Sequence, residues 1–144
     1  MNANYDKFPA ILRDKLKNGE IKFPANTQFV YEPVIAFRGV DRSPEDFSSV
    51  TLNDMRSNAE LKRTNVRGKT YDVDDPHYYG VSFFSNVDLV KQALKFPRKN
   101  KKIVKGYIFQ EGGPKHFIEE TNHTCWWLYQ GVDVSHFEFV GDLI

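Results

Sequence analysis

Arg38 is the residue of this sequence with the clearest potential for chemistry. Four apolar residues, 34–37, precede it and indicate a buried strand, so its guanidinium falls where that strand should still be inside the protein. A buried charge is costly without a partner, which here is either a carboxylate such as Asp41 or an anionic ligand. The planar fork of an arginine holds phosphate through two hydrogen bonds, and Gly39 would let a ligand approach closely. Both interpretations stay open at this point.

A second candidate stretch is "YYGVSFFS", residues 78–85. Strand alternation predicts Gly80, Ser82 and Phe84 on one face. A serine beside a glycine, among large apolar residues, would line a ligand cleft and orient bound hydroxyl groups. The alternative is a small core residue bonded to the backbone. Ser85 is predicted to cap the helix that follows.

The third candidate stretch lies near the C-terminal end of the sequence. Glu138 stands between two phenylalanines on a predicted strand, so it points away from both, towards solvent or into a cleft. In a cleft its carboxylate would stabilise developing positive charge. Trp127 and the tryptophan before it point to opposite faces, so one is core and the other is a stacking candidate. His123 is a capping or ligand-binding candidate.

Other familiar kinds of site have no signature in this sequence. The four histidines show neither HxxxH nor HExxH spacing, so no metal site is predicted. The single cysteine, Cys125, excludes an intrachain disulfide, and its place beside two tryptophans predicts burial rather than nucleophilic chemistry. There is no GxGxxG, no P-loop and no GxSxG motif.

A basic run at residues 97–105 is an alternative site for nucleotide or RNA phosphates. Phe96 and Tyr107 flank it and could stack on bases. The plain alternative is a solvated, charged turn. The net charge of +1 gives no broad field towards nucleic acid or membrane. The basic residues are Arg98, Lys99, Lys101, Lys102 and Lys105.

The elements that must position these residues predict one α+β domain over residues 1–144. We expect N-terminal helices and a mixed, largely antiparallel C-terminal sheet. The helices are predicted over 8–17, from Ser43 with Pro44 at the first position to about 56–61, and over 85–94. An extended segment is predicted at 27–40, broken or bent at Pro33. Further strands are predicted at 77–84, 103–109, 115–120, 124–129 and 135–141, with a long polar loop at 62–76.

Location and assembly are predicted only in outline. No run approaches the roughly 18 apolar residues of a membrane span, so no membrane partner is expected. The N-terminal residues lack the apolar segment of a signal peptide. A cytoplasmic protein is the expectation. The oligomeric state stays open.

Taken in order, "AFRGV", "GVSFFS" and the strand with Glu138 resemble the arginine–serine–glutamate layout of the ADP-ribosyltransferase superfamily. The resemblance covers about twenty residues, and small NAD-cleaving toxin domains share the layout. It implies the split-sheet fold of that family. It also implies NAD as substrate, cleavage of the nicotinamide–ribose bond, and transfer to an unknown acceptor or to water.

The resemblance assigns a role to each matched position. Arg38 would hold the NAD phosphates, Ser82 would shape the nicotinamide-ribose pocket, and Glu138 would contact the ribose and support the cationic transition state. Glu120 is the alternative glutamate, and Tyr79 is a candidate to stack on nicotinamide. Two other functions stay open: a non-catalytic binding or regulatory domain, phage- or toxin-related, and a nucleotide- or RNA-phosphate-binding module at 97–105.

Overall fold

The computed structural model describes residues 5–66, 68–95 and 100–140. The main element of this part of the chain is a six-stranded antiparallel sheet. The predicted α+β class is confirmed. The helices are α1 (Ala10–Lys17) and α2 (Val87–Leu94), with 3₁₀ turns at Tyr5–Lys7, Leu52–Met55, Pro76–Tyr79 and Gln110–Gly112. The strands are β1 (Val34–Asp41), β2 (Asn65–Val66), β3 (Lys69–Thr70), β4 (Val81–Phe84), β5 (Lys101–Ile108), β6 (Lys115–Ile118), β7 (His123–Trp126) and β8 (Glu138–Phe139).

The strand order is β6-β7-β4-β1-β5-β8, and β2 and β3 form a separate hairpin. β1 and β5 pair along their whole length, from Val34 opposite Ile108 to Asp41 opposite Lys101. By contrast, β1 and β4 share one register pair, in which Phe37 lies opposite Phe84. The two strands therefore separate beside that pair, at the position of Arg38.

Two hydrophobic clusters form the core. One lies on the central strands and includes Phe83, Val104 and Trp126. The other includes α1, whose Leu12 and Leu16 pack with residues such as Phe8, Cys125 and Trp127. The helical spacing of residues 8, 12 and 16 thus places one face of α1 inside, as predicted. Neither described helix has the length and apolarity required to cross a membrane.

α2 packs over β1, and this packing explains the glycine that follows Arg38. A Cβ atom on Gly39 would lie 2.3 Å from Cδ1 of Leu94, so the glycine admits the helix. The cap of α2 is Asn86, whose side chain accepts a hydrogen bond from the N–H of Leu89 at 3.0 Å. The prediction of Ser85 as the cap is wrong by one residue.

The helix predicted from Ser43 is wrong. Residues 42–51 form a turn and an extended loop, and only Leu52–Met55 makes a short 3₁₀ turn. The physical reason is Arg42, which is 8% exposed and donates to the carbonyls of Ser48 at 2.7 Å and Ser49 at 3.1 Å. These side-chain bonds hold the loop in place of helical backbone bonds.

Other boundaries also differ from the predictions, and the extended segment predicted at 27–40 forms a strand only from Val34 onwards. The polar loop at 62–76 contains the β2–β3 hairpin, and the strand predicted at 77–84 begins only at Val81 because Pro76–Tyr79 forms a 3₁₀ turn. The last predicted strand, 135–141, is reduced to Glu138–Phe139. Its final residue lies outside the described part of the chain.

Candidate anion-binding cleft

Arg38 lies where β1 and β4 separate, and its guanidinium contacts carbonyls rather than carboxylates. Nε donates to the carbonyl of Asp54 at 3.1 Å and Nη1 donates to that of Ser82 at 3.0 Å. The guanidinium also lies 5.7 Å from the centre of the Phe83 ring. Among the described residues, no carboxylate forms an ion pair with it. Burial, and then the charge of Arg63, lowers the pKa of Arg38 to about 10, so it stays charged at neutral pH.

Three arginines, Arg38, Arg56 and Arg63, line two adjoining cavities, which together we call the arginine cleft. The larger lobe has a volume of about 450 Å³ and the smaller lobe about 260 Å³. The larger lobe is also lined by Gly39, Val40, Asp41, Asn53, Asp54, Leu61, Leu94 and Lys101. The smaller lobe is also lined by Asn58, Tyr71, Gly80, Val81 and Ser82.

Arg56 is positioned by hydrogen-bonded turns on both sides of it. Before it, the side chains of Thr51 and Asp54 form a capping box around the Leu52–Met55 turn. After it, the N–H of Ser57 donates to the Glu60 carboxylate at 3.1 Å, and the N–H of Glu60 donates to the Ser57 hydroxyl at 3.1 Å. The side chain of Arg56 is exposed, and within the described residues it makes no hydrogen bond or ion pair.

Of the two exposed arginines in the cleft, Arg56 and Arg63, Arg63 is the one held by hydrogen bonds of its own. Its Nη1 donates to the Asn58 side-chain oxygen at 3.3 Å, and its carbonyl accepts a hydrogen bond from the Tyr78 hydroxyl at 2.5 Å. Its charge contributes to the lowered pKa of Arg38, so the two guanidinium groups act on each other. Neither Arg38 nor Arg63 forms an ion pair in the described part of the protein, although the charges of Asp41 and Asp54 partly offset the lowering of the Arg38 pKa.

The two carboxylates in the cleft are already engaged. Asp54 binds Arg42 outside the cleft, with 2.6 Å between Oδ2 and Nη2, and Asp41 forms an ion pair with Lys101. When these two ion pairs are counted as neutral, the charges of Arg38, Arg56 and Arg63 remain in the cleft. The arginine cleft is therefore a positively charged cavity, with guanidinium donors suited to phosphate or carboxylate.

Ser82 lines the smaller lobe, but its side chain lies on the sheet face opposite to that of Arg38. Phe37 and Phe84 are cross-strand partners and share a sheet face. Ser82 lies on that face, whereas Arg38 lies on the other, with Phe83. What meets the arginine is the carbonyl of Ser82, not its hydroxyl.

Neither candidate glutamate lines the arginine cleft. Glu138 is exposed on the edge strand β8, opposite Lys105, which is opposite Phe37. It therefore lies two strands from β1, about 10 Å away at the usual strand spacing. It is also on the face opposite to Arg38. Glu120 lines a separate cavity of about 640 Å³ beside β6.

The remaining candidates for ligand contact belong to other parts of the molecule. Tyr79 is buried and donates its hydroxyl to the carbonyl of Val73 at 2.7 Å. Trp127 is fully buried, like Trp126, and its Nε1 donates to the carbonyl of Pro76 at 2.9 Å. These three side chains are therefore core, and the expectation that one tryptophan is free to stack is not met. His123 is half-buried beside β6 and does not line the cleft.

The described basic residues of the run are Lys101, Lys102 and Lys105, and among them Lys101 alone forms an ion pair. Lys101 is paired with Asp41, and Lys102 donates to the carbonyl of Asp46 at 2.8 Å while lying 3.3 Å from the centre of the Phe47 ring. Lys105 is exposed on the sheet face opposite to Arg38. Phe96, Arg98 and Lys99 lie outside the described residues.

A hydrogen-bonded chain of Asp75, His77 and His116 lies apart from the arginine cleft. The Asp75 carboxylate is 2.8 Å from Nδ1 of His77, and Nε2 of His77 is 2.8 Å from Nδ1 of His116. Burial, and then the charge of His77, lowers the pKa of His116. No group of three or more metal-binding side chains suited to an ion occurs among the described residues.

Sequence reasoning missed Arg56, Arg63 and Tyr71 as lining residues. For Arg63 and Tyr71 the only signal was the polar character of residues 62–76, and Arg56, which lies before that segment, had no signal of its own. Comparisons with protein-family models, curated proteins and solved structures find no match to this chain. Its function is therefore inferred from the geometry of the cleft.

Proposed function

We propose that the arginine cleft binds a dinucleotide of the NAD class, with the pyrophosphate held by Arg38 and Arg63. One observation carries this proposal: three arginines without carboxylate partners among the described residues line a single cleft. Arg38 is half-buried, and burying a guanidinium is favourable only when an anion or other partners compensate it, whereas Arg56 and Arg63 are exposed and add positive charge at the cleft. A pyrophosphate supplies that compensation through charge-assisted hydrogen bonds.

The two lobes favour a ligand that has its phosphates in the middle. Arg38, Arg56 and Arg63 line both lobes, so phosphates at the arginines leave space on either side. The smaller lobe offers Tyr71 and Asn58 to a ring and its polar edge, and the larger offers the apolar side chain of Leu94. Their volumes are in keeping with cofactor sites.

The family layout remains part of the proposal at this level. The separation of β1 from β4 beside a single register pair supports a sheet of the split ADP-ribosyltransferase type. The cleavage step has weaker support, because it needs a carboxylate where positive charge develops on the ribose. Asp41 and Asp54 are engaged in ion pairs, and Glu138 lies on the other face. Binding is therefore the function proposed, and nicotinamide release is a separate assay.

Thermal-shift titration with NAD tests the proposal. The parent protein should gain stability, by about 2.7 kcal/mol at a hundred times the dissociation constant. Arg38→Gln should abolish the shift. Arg13→Gln is the matched control, because Arg13 lies on α1 and contacts Asp14 away from the cleft, at 3.6 Å. The absence of any shift in the parent, at millimolar NAD and at millimolar NADP alike, would overturn the proposal.

A further inference from the structure

The charge of the arginine cleft exceeds what a pyrophosphate alone compensates. Each phosphate of a dinucleotide pyrophosphate carries one negative charge, so the pyrophosphate matches two guanidinium groups. The cleft presents three, since the charges of Asp41 and Asp54 are compensated by Lys101 and Arg42. One arginine is therefore left for a further anionic group of the ligand. This reasoning rests on the proposed function.

The surplus arginine is Arg56. Arg38 is fixed by two carbonyls and interacts electrostatically with Arg63, which is itself held by Asn58. These two form the more fixed pair. Arg56 lines both lobes, yet its side chain makes no hydrogen bond or ion pair within the described residues. Its backbone is held by the turns on either side, so its free guanidinium starts from a fixed point.

Lys101 does not offer the same opportunity, although it lines the larger lobe. Its ammonium group is paired with Asp41, and using it for a ligand would break that ion pair. A guanidinium also suits a terminal phosphate better than an ammonium group does, because it donates two parallel hydrogen bonds. A terminal phosphate carries between one and two negative charges at neutral pH.

We infer that the arginine cleft takes a dinucleotide bearing a phosphate in addition to its pyrophosphate, and that Arg56 binds this extra phosphate. The ligand class is thus that of NADP rather than NAD. Arg38 and Arg63 supply affinity common to both dinucleotides, and Arg56 supplies the discrimination between them.

Isothermal titration with NADP and with NAD tests this inference on the parent, on Arg56→Gln and on Arg38→Gln. The parent should bind NADP at least about tenfold more tightly, which corresponds to about 1.4 kcal/mol. Arg56→Gln should remove this preference, because the charge-assisted contact to the extra phosphate is lost. Its NAD affinity should stay within about threefold of the parent value, because NAD lacks the phosphate that Arg56 contacts. Arg38→Gln should weaken binding of both ligands.

The possible failures are distinguishable from one another. Equal affinity of the parent for NAD and NADP would overturn the inference and leave the proposed function standing. A preference that persists in Arg56→Gln would overturn the assignment of the extra phosphate to Arg56. Binding of neither dinucleotide by the folded parent would overturn the proposed function and the inference together. Unfolding midpoints of the variants, measured in parallel, ensure that each compared protein is folded.

Discussion

Arg38 lies within β1 and Arg42 directly follows that strand, and these two arginines, four residues apart, have opposite surroundings. Arg42 is buried and makes a two-point contact with the carboxylate of Asp54, at 3.2 Å from Nε and 2.6 Å from Nη2. Arg38 reaches only the carbonyl of the same Asp54 and that of Ser82. One aspartate thus forms an ion pair with one arginine, whereas it gives the other a carbonyl contact and a weaker charge interaction through space.

The two environments show two different uses of an arginine, one in stability and one in binding. Arg42 stabilises its own loop, since it also donates to Ser48 and Ser49 and no donor geometry is left for a ligand. Arg38 keeps an uncompensated charge at the junction of two lobes. Substitutions at the two positions should therefore separate effects on stability from effects on binding.

The largest effect is expected for Arg42→Met, which removes the structural arginine. Asp54 would be left buried without its partner, and loss of one member of a buried ion pair costs about 3–5 kcal/mol of unfolding free energy. Urea denaturation of the variant and parent measures this loss. A loss below about 1 kcal/mol would mean that Arg42 contributes no more than a surface ion pair does. Arg13→Met, on the exposed side of α1, is the control for general effects of the substitution.

A smaller effect on stability is expected for Arg38→Gln. The variant loses two hydrogen bonds to carbonyls, which are worth about 1 kcal/mol each in net terms, and it also relieves repulsion with Arg63. We therefore expect a loss of about 1 kcal/mol in urea denaturation, well below that of Arg42→Met. If the two losses were equal, Arg38 would be as structural as Arg42, and the contrast between them would disappear.

The same contrast explains how much the sequence could predict. Apolar spacing placed α1, and the β-branched and aromatic runs placed β1 and β5, because these patterns report burial directly. Ser43 and Pro44 have the local chemistry of a helix start, but the long-range bonds of Arg42 override it. Pairing of distant residues is not visible in local patterns.

The candidate site shows the same limit. Arg38 was identifiable because a charge follows an apolar run, which is a local signal. Arg56 and Arg63 join it only through the course of the loop between β1 and β4, which no spacing rule encodes. Glu138 was assigned from its order in the chain, whereas register decides the sheet face, and it puts Glu138 opposite to Arg38.

The smallest effect is expected from pH, and it separates the arginines from the histidines. Burial lowers the pKa of His116 and of His123 below the ordinary value of 6.5. The unfolded chain therefore binds more protons below pH 6.5, so the unfolding free energy should fall as pH drops from about 7 to 5. Carboxylates with lowered pKa, such as Asp46, lose their contribution to the unfolding free energy only at lower pH.

The double variant His116→Gln/His123→Gln should flatten the slope of unfolding free energy against pH between pH 7 and 5. Over the same range neither the guanidinium groups nor the pyrophosphate of NAD titrates, so the affinity for NAD per folded molecule should stay constant, whereas a terminal phosphate, as in NADP, titrates in this range itself. An affinity that followed the histidine titration would place a histidine, rather than Arg38, at the anion.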